Sequence, residues 1–320
     1  MEPAVSVVIP TFNRRAMARE AIASVLAQRG VDFELIVVDD GSRDGTAEEL
    51  REIAATASAV AGRAVMRVVR TENRGPAAAR NTGVAIARAE LIAFLDSDDL
   101  WNAEKLARQV AFMRANPRCA IAQCEEIWLR AGRRVNPARR HRKAAGDLFV
   151  RSLRVCLISP SAAIIRRDAF HAAGGFDEDL RAAEDYDLWL RILIEHEAGL
   201  IDEALATRRA GHPGQLSATV PALDRFRILA LTKLIARADL AGARRAAVGD
   251  ALSEKCAIYA PGLMRRGRSA AAEFFAGIGR AARGPWRDAP EAEIAGAIDA
   301  MRTLLRDDRR DEMIVIEAAP

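Results

Sequence analysis

At 320 residues and 34.7 kDa, with half its residues apolar, the chain is long enough for one large α/β domain and an accessory piece. Its 48 basic and 44 acidic residues are largely interspersed and leave a net charge of +4, so no nucleic-acid partner is expected. Cys119, Cys124, Cys156 and Cys256 have no CxxC spacing and no matching His tract, which argues against a zinc site or a redox pair and for reduced thiols.

No stretch approaches eighteen uninterrupted apolar residues and the first residues do not resemble a signal peptide, so the expectation is a cytoplasmic protein without a membrane span. Residues 4–10 form a β-branched run that Pro10 must end, because proline donates nothing to a strand ladder. A polar loop holding Thr11, Phe12, Asn13 and Arg14 follows, then a helix with Ala18, Ile22, Val25 and Leu26 on one face. Residues 34–38 read as the second strand, running into Asp39, Asp40 and Gly41; Thr46 and Glu49 have capping-box spacing for the next helix. Residues 65–69 read as a third strand. After it Gly75 and Pro76 open an Ala-rich helix that carries Arg80 and runs to about Ala89.

Residues 91–95 are a short apolar run, the pattern of a strand covered on both faces, and Asp96, Ser97, Asp98 and Asp99 follow at once. Three carboxylates in four positions repel one another unless a cation or tight hydrogen bonding offsets the charge. The alternative is an Asp-rich turn capping a helix that begins near Asn102. The β-α-β-α-β-α-β order calls for a mainly parallel sheet with helices on both faces, and ligands of such sheets bind outside the carboxyl ends of the strands. There the chain delivers Pro10 and Thr11, then Asp39 and Asp40, then Asp96 and Asp98, without a GxGxxG or P-loop fingerprint.

Four segments together, residues 10–14, 37–46, 74–83 and 94–99, resemble the family 2 glycosyltransferases of the GT-A fold, and the resemblance covers roughly residues 4–215. It implies a GT-A, Rossmann-like α/β domain over residues 1–220 and leaves 221–320 as a C-terminal helical region. It also implies a nucleotide-diphospho-sugar donor, UDP- or dTDP-type, and a divalent metal, Mg²⁺ or Mn²⁺, at the DxD motif. By that resemblance Asp39 accepts a hydrogen bond from the base, while Pro10, Thr11 and Arg80 line the nucleoside. Asn13, Arg14, Asp40, Gly75, Asp96 and Ser97 complete the donor set, and Asp96 and Asp98 meet the metal. A sugar leaving as a nucleoside diphosphate carries growing negative charge, which a carboxylate-held cation neutralises. On the residues alone, Asp39 or Asp40 also suits a bond to its own turn, Arg80 a solvated helix surface, and Gly75 and Gly83 turns and helix packing.

Trp101 fits either an acceptor-sugar wall or a core anchor. Residues 130–143 hold seven Lys or Arg plus His141, which suits a solvated loop, or contact with an anionic membrane surface or acceptor phosphates. Asp168 reads as a helix cap and Gly174 and Gly175 as the stop. Glu184 and Asp185 again resemble the family, whose Glu-Asp pair at a helix start supplies the general base; the role falls on Asp185, with Glu184 beside it or on the acceptor. A helix N-terminus favours acidic residues without any such role. His196 shares a helix face with Trp189, whereas the loop holding His212 resembles the family's late His segment, which implies a metal or diphosphate contact; a lone loop histidine is the alternative.

Beyond Pro221 three apolar stripes, Phe226 to Leu234, Leu252 to Tyr259 and Ala271 to Ile278, indicate a helical appendage, with Gly262 and Arg265 to Arg268 as a turn and residues 309–320 as a fraying end. The resemblance therefore implies a metal-dependent, non-processive, inverting glycosyltransferase acting on an envelope-related glycan or lipid-linked acceptor. The QxxRW motif of processive synthases is absent. A sugar-nucleotide-binding scaffold is the alternative, and an aspartyl-phosphate phosphatase a weaker one, because its DxD and Gly-Thr pieces are split over different strands.

Overall fold

The computed structural model describes residues 2–61, 66–212, 214–215, 220 and 222–317. It divides into two compact units, Met1–Thr219 and Val220–Pro320.

The first unit is built around β1 (Val5–Thr11), every residue of which is buried. Its neighbours β2 (Phe33–Asp39) and β4 (Leu91–Phe94) both run parallel to it, and β3 (Met66–Arg70) continues the parallel set beyond β2. This arrangement explains the unbroken apolar runs: a central parallel strand has no solvent face on which to alternate. The helices α1 (Arg15–Leu26), α2 (Thr46–Ala61) and α3 (Pro76–Ala85) make the crossovers. The remaining half of the sheet is mixed. After β5 (Leu100–Trp101) and α4 (Lys105–Ala115) come β6 (Ile121–Arg130) and β7 (Arg133–Val135). The short α5 (Phe149–Ser152), β8 (Ala163–Arg166), α6 (Arg167–Ala172), α7 (Glu184–Leu193) and β9 (Ala198–Ala210) complete the unit. The strand order is β3-β2-β1-β4-β8-β6-β9-β5, with β7 paired to β6.

Several local expectations change. Val65, expected in the third strand, lies outside the described residues, and the strand extends instead to Arg70. The capping box is not made, because Arg15 draws Glu49 into an ion pair; Asp44 accepts from the Thr46 N–H (3.1 Å) and the Arg15 N–H (3.2 Å) in its place. The helix after the acidic run starts at Lys105 and not near Asn102, since Leu100 and Trp101 first pair with Thr207 and Ala206. Asp168 sits inside the first turn of α6, which Arg166 caps, whereas Gly174 and Gly175 do end it with φ of +83° and +70°. The basic stretch from Arg130 forms a hairpin with β7.

The second unit is helical: α8 (Asp224–Ile235), α9 (Gly242–Arg265), α10 (Ser269–Arg283) and α11 (Glu291–Glu317). Phe226, Leu229, Leu252, Cys256, Tyr259, Phe275 and Ile278 are buried. Gly262 falls within α9, and the turn is made by Gly267 at φ +74°. The third stripe is centred on Ala272, Phe275, Ile278 and Gly279, with Ala271 and Phe274 only half-buried. α11 runs to Glu317, as suits a segment with no Gly or Pro between residues 297 and 319; residues 318–320 lie outside the described residues.

Candidate active site

Parallel pairing brings the strand ends to one edge. Thr11 stands opposite Asp39 in the β1–β2 register, and the Leu95 N–H donates to the Val8 carbonyl (3.1 Å), so Asp96 emerges beside them. Asp39 is fully buried. One of its oxygens, Oδ1, accepts from the Ser42 N–H (3.0 Å); among the described residues Oδ2 has no hydrogen bond, with Arg70 Nε 3.5 Å away. The Thr11 hydroxyl is likewise buried without a hydrogen-bond partner among the described residues. Two buried polar atoms left open at the same strand-end edge can receive a ligand there. Pro10 lies buried in β1 beside Thr11.

Asp40 does different work. Its carboxylate accepts from the N–H groups of Arg74 (2.9 Å) and Gly75 (2.8 Å) and from the Thr71 hydroxyl (3.3 Å), which fixes the loop before α3, where Gly75 adopts φ +95°. Burial pushes its acidity toward the protonated form while those donors oppose it. Asn13, at φ +49°, ties the first two loops together: its N–H donates to Ser42 Oγ (2.9 Å) and its side-chain oxygen accepts from the Arg43 N–H (2.7 Å).

The acidic loop is organised by Ser161, a residue the sequence did not single out. Its hydroxyl accepts from the Asp96 N–H (3.1 Å) and donates to Asp99 Oδ2 (2.6 Å). Asp99 Oδ1 accepts from the Arg209 N–H (2.8 Å), so both its oxygens are engaged; burial and the neighbouring Asp96 and Asp98 raise its pKa well above the usual range. Asp99 therefore shapes the loop. Asp98 Oδ2 meets Arg14 Nη1 (2.6 Å) and His212 Nε2 (3.0 Å), and Arg14 Nη2 donates to the Gly214 carbonyl (2.8 Å), which ties in the late loop. Arg209, also not foreseen, donates through Nε to the Asp98 carbonyl and pairs with Glu20; its Nη2 is buried without a hydrogen-bond partner among the described residues. Ser97 is buried within the loop.

Arg80 is not a solvated helix residue. It is buried, with Nη2 on Asp96 Oδ1 (2.7 Å), Nη1 on Glu184 Oε1 (2.6 Å) and its guanidinium 5.2 Å from the Phe176 ring centroid. Burial alone would lower its pKa, but the Asp96 and Glu184 carboxylates hold it raised. Arg80 thereby couples the acidic loop to the start of α7. There Ala183 adopts φ +61°, an uncommon conformation for a residue with a Cβ, and Glu184 is buried. Burial pushes the Glu184 carboxyl up to about 7; Arg80 pulls against this and Asp185 adds to it. Asp185 is half-buried, accepting from the Tyr186 N–H (2.7 Å) and, at 3.5 Å, from the Cys156 thiol.

Trp101 is a core residue and not an acceptor wall: it is 6 % exposed, donates from Nε1 to the Ser161 carbonyl (2.7 Å), and has Lys105 Nζ 3.8 Å above its ring. Its indole instead holds the segment that carries Ser161.

The residues present fit a hard divalent cation. Carboxylate oxygens of Asp96, Asp98 and Asp99 lie within 4.8 Å of one another, an all-oxygen donor set of the kind Mg²⁺ and Mn²⁺ prefer. Because Asp99 is committed to the loop, Asp96 and Asp98 are the better ligands, with His212 adjacent to Asp98.

A curled α/β sheet whose strand ends gather an orphaned carboxylate, an oxygen-rich loop and a helix-start carboxylate defines a GT-A-like architecture. The chain belongs to glycosyl transferase family 2, whose model matches residues 6–174. It is similar to an uncharacterized glycosyltransferase of Rickettsia felis, 34 % identical over 205 residues that cover 64 % of this chain and 33 % of that protein. It is similar also to the Escherichia coli UDP-Glc:alpha-D-GlcNAc-diphosphoundecaprenol beta-1,3-glucosyltransferase WfgD, 29 % identical over 201 residues covering 62 % of this chain and 73 % of that one. In fold it resembles S. aureus TarS 1-349 in complex with UDP-GlcNAc, with a TM-score of 0.69 and 21 % identity over 97 % of this chain and 92 % of that one. The chain spans about a third of the length of the first curated relatives it matches.

Proposed function

We propose that the chain transfers a sugar, with inversion, from a nucleoside-diphosphate sugar to a hydroxyl of an envelope glycan or lipid-linked acceptor. The observation that carries this is the Arg80 bridge, which joins Asp96 of the acidic loop to Glu184 beside Asp185 and so fixes a leaving-group site and a base in one frame. The orphaned Asp39 Oδ2 suits the imide N–H of a uracil or thymine, and the Thr11 hydroxyl lies at the same edge. A UDP-type donor accords with the name of WfgD and with the nucleotide sugar bound by TarS. Asp96 and Asp98, with His212, would hold a divalent cation, which when bound offsets the charge that develops on the departing diphosphate.

The rest is done by the chain's own groups. Arg14 bonds Asp98 and orients it. Asp185 accepts the proton of the acceptor hydroxyl as that oxygen attacks the anomeric carbon from the face opposite the leaving group. The Tyr186 N–H bond fixes one carboxylate oxygen and leaves the other, Oδ2, on the side of the weakly donating Cys156 thiol. No helix among the described residues is long and apolar enough to cross a membrane, and a site at the cytoplasmic face of a membrane is part of this proposal.

Nucleoside diphosphate release from UDP-glucose and UDP-GlcNAc, measured with Mn²⁺ and an acceptor extract, tests the proposal. Turnover is expected to vanish in Asp98→Ala and Asp185→Ala, with nucleotide-sugar binding retained in the latter. Failure of the intact protein to bind any nucleotide sugar would sink it.

A further inference from the structure

The hairpin that leaves β6 is charged in one sign only. Residues 130–143 contain no Asp or Glu, and Arg130, Arg133, Arg134, Arg139, Arg140 and Arg142 are all exposed. Among the described residues none of these six has a carboxylate partner, whereas arginines elsewhere on this unit's surface, such as Arg15, Arg51, Arg74 and Arg108, each meet one. A purely solvated loop gains nothing from such exclusion, and neighbouring like charges repel.

The strip has an inner end. In the β6–β9 ladder Arg208 stands opposite Trp128, and its guanidinium lies 4.9 Å over the indole, which is in turn 5.4 Å from the His141 ring. Arg208 is half-buried, and among the described residues its guanidinium makes no hydrogen bond. Burial would lower its pKa, but the carboxylates of Glu126, Asp99, Asp185 and Asp96 hold it raised, and the N–H of the next residue, Arg209, donates to Asp99 of the acidic loop (2.8 Å). Glu126 itself is engaged by Ser159, Trp128 and Lys143, and among the described residues it acts on Arg208 through its charge without a direct bond. A planar guanidinium pinned on a ring with its fork open is suited to an anionic oxygen pair.

We propose that phosphate-ester groups of the acceptor bind along this strip, innermost at Arg208 and outward over the hairpin arginines, and so deliver the acceptor hydroxyl to Asp185. The inference rests on the transferase reading and names its acceptor class. Phosphate is favoured over carboxylate because its charge density matches six arginines within thirteen residues.

Binding of the full chain to three probes tests it: poly(glycerol phosphate), phosphatidylcholine vesicles doped with dodecyl phosphate, and polygalacturonate as a carboxylate polymer. One phosphate probe is expected to bind in a salt-sensitive manner, and the stronger of the two identifies a polymer or a lipid as its source. The triple variant Arg133→Glu, Arg134→Glu, Arg139→Glu, and separately Arg208→Ala, are expected to weaken that binding at least about tenfold. Unchanged affinity in the triple variant, or polygalacturonate binding as tightly as phosphate, overturns the proposal. Affinity for UDP-glucose, measured on the same samples, separates the two readings. Its retention while neither phosphate probe binds refutes the acceptor assignment alone, and its absence refutes the transferase reading while phosphate binding still reports on the strip.

Discussion

Glu184 is an acid whose surroundings disagree about its charge. Burial and the adjacent Asp185 favour the neutral carboxyl, the Arg80 guanidinium at 2.6 Å favours the carboxylate, and the outcome is a pKa raised to about 7. The folded state then holds a proton that the unfolded chain releases near pH 4.5. Stability from this group is present in full below that value and declines as pH rises toward about 7, by at most about 1.4 kcal/mol per pH unit. Glu184→Gln keeps an oxygen for Arg80 and removes the titration. Urea unfolding of both proteins across this window is expected to show a steeper fall with pH in the natural chain; parallel curves would show that Arg80 keeps Glu184 ionised throughout. Asp185 differs because it is half-buried and lies one residue further round the helix, where a carboxylate can meet a substrate.

At the scale of elements, the site depends on how closely α3 lies on the sheet, because α3 carries Arg80. A Cβ built at Gly83 would stand 2.4 Å from Val8 Cγ1 and 3.2 Å from Val8 Cγ2, both on the central strand. Gly83→Ala must push α3 outward and is expected to cost about 1–3 kcal/mol in chemical denaturation, despite the better helix propensity of alanine. Gly277→Ala in α10 is the counterpart: its new Cβ meets only Arg280 at 3.9 Å, and it is expected to stabilise by up to about 1 kcal/mol. Equal effects at the two positions would refute the close-packing account. The same contrast explains what was legible in the sequence. The four parallel strands, and the placing of Asp39 and Asp96 at their ends, follow from local apolar runs and the carboxylates that end them. The Arg80–Glu184 and Asp98–His212 contacts join residues 104 and 114 positions apart, and Ser161 lies 62 positions from Asp99; such pairs leave no periodic trace. Trp101 was ambiguous for a related reason: whether an indole faces a cavity or the core depends on a partner, here the Ser161 carbonyl, from a distant segment. Local competition misled in smaller ways, as when Arg15 took Glu49 and left Asp44 to cap α2.

For the whole molecule, the division at Thr219 separates two cores. The first is the cluster of Val7, Ile9, Ile22, Leu35, Leu106 and Ile164 around the sheet; the second includes Phe226, Leu229, Leu252 and Phe275. Every group proposed to meet donor or acceptor, or to act as base, lies in the first unit. The bonds that position them, from Ser161 to Asp99, Arg14 to Gly214 and Arg80 to Glu184, close within it. A unit with its own core, within which these bonds close, is of the kind that folds independently. A chain ending at residue 219 is therefore expected to unfold in a single cooperative transition and to bind UDP-glucose with the affinity of the full chain. Calorimetric titration and circular dichroism on both chains decide the matter. A truncated chain that folds but fails to bind would mean that the helical unit contributes to the donor site, whereas one with no cooperative transition would mean that the first core needs the second to form.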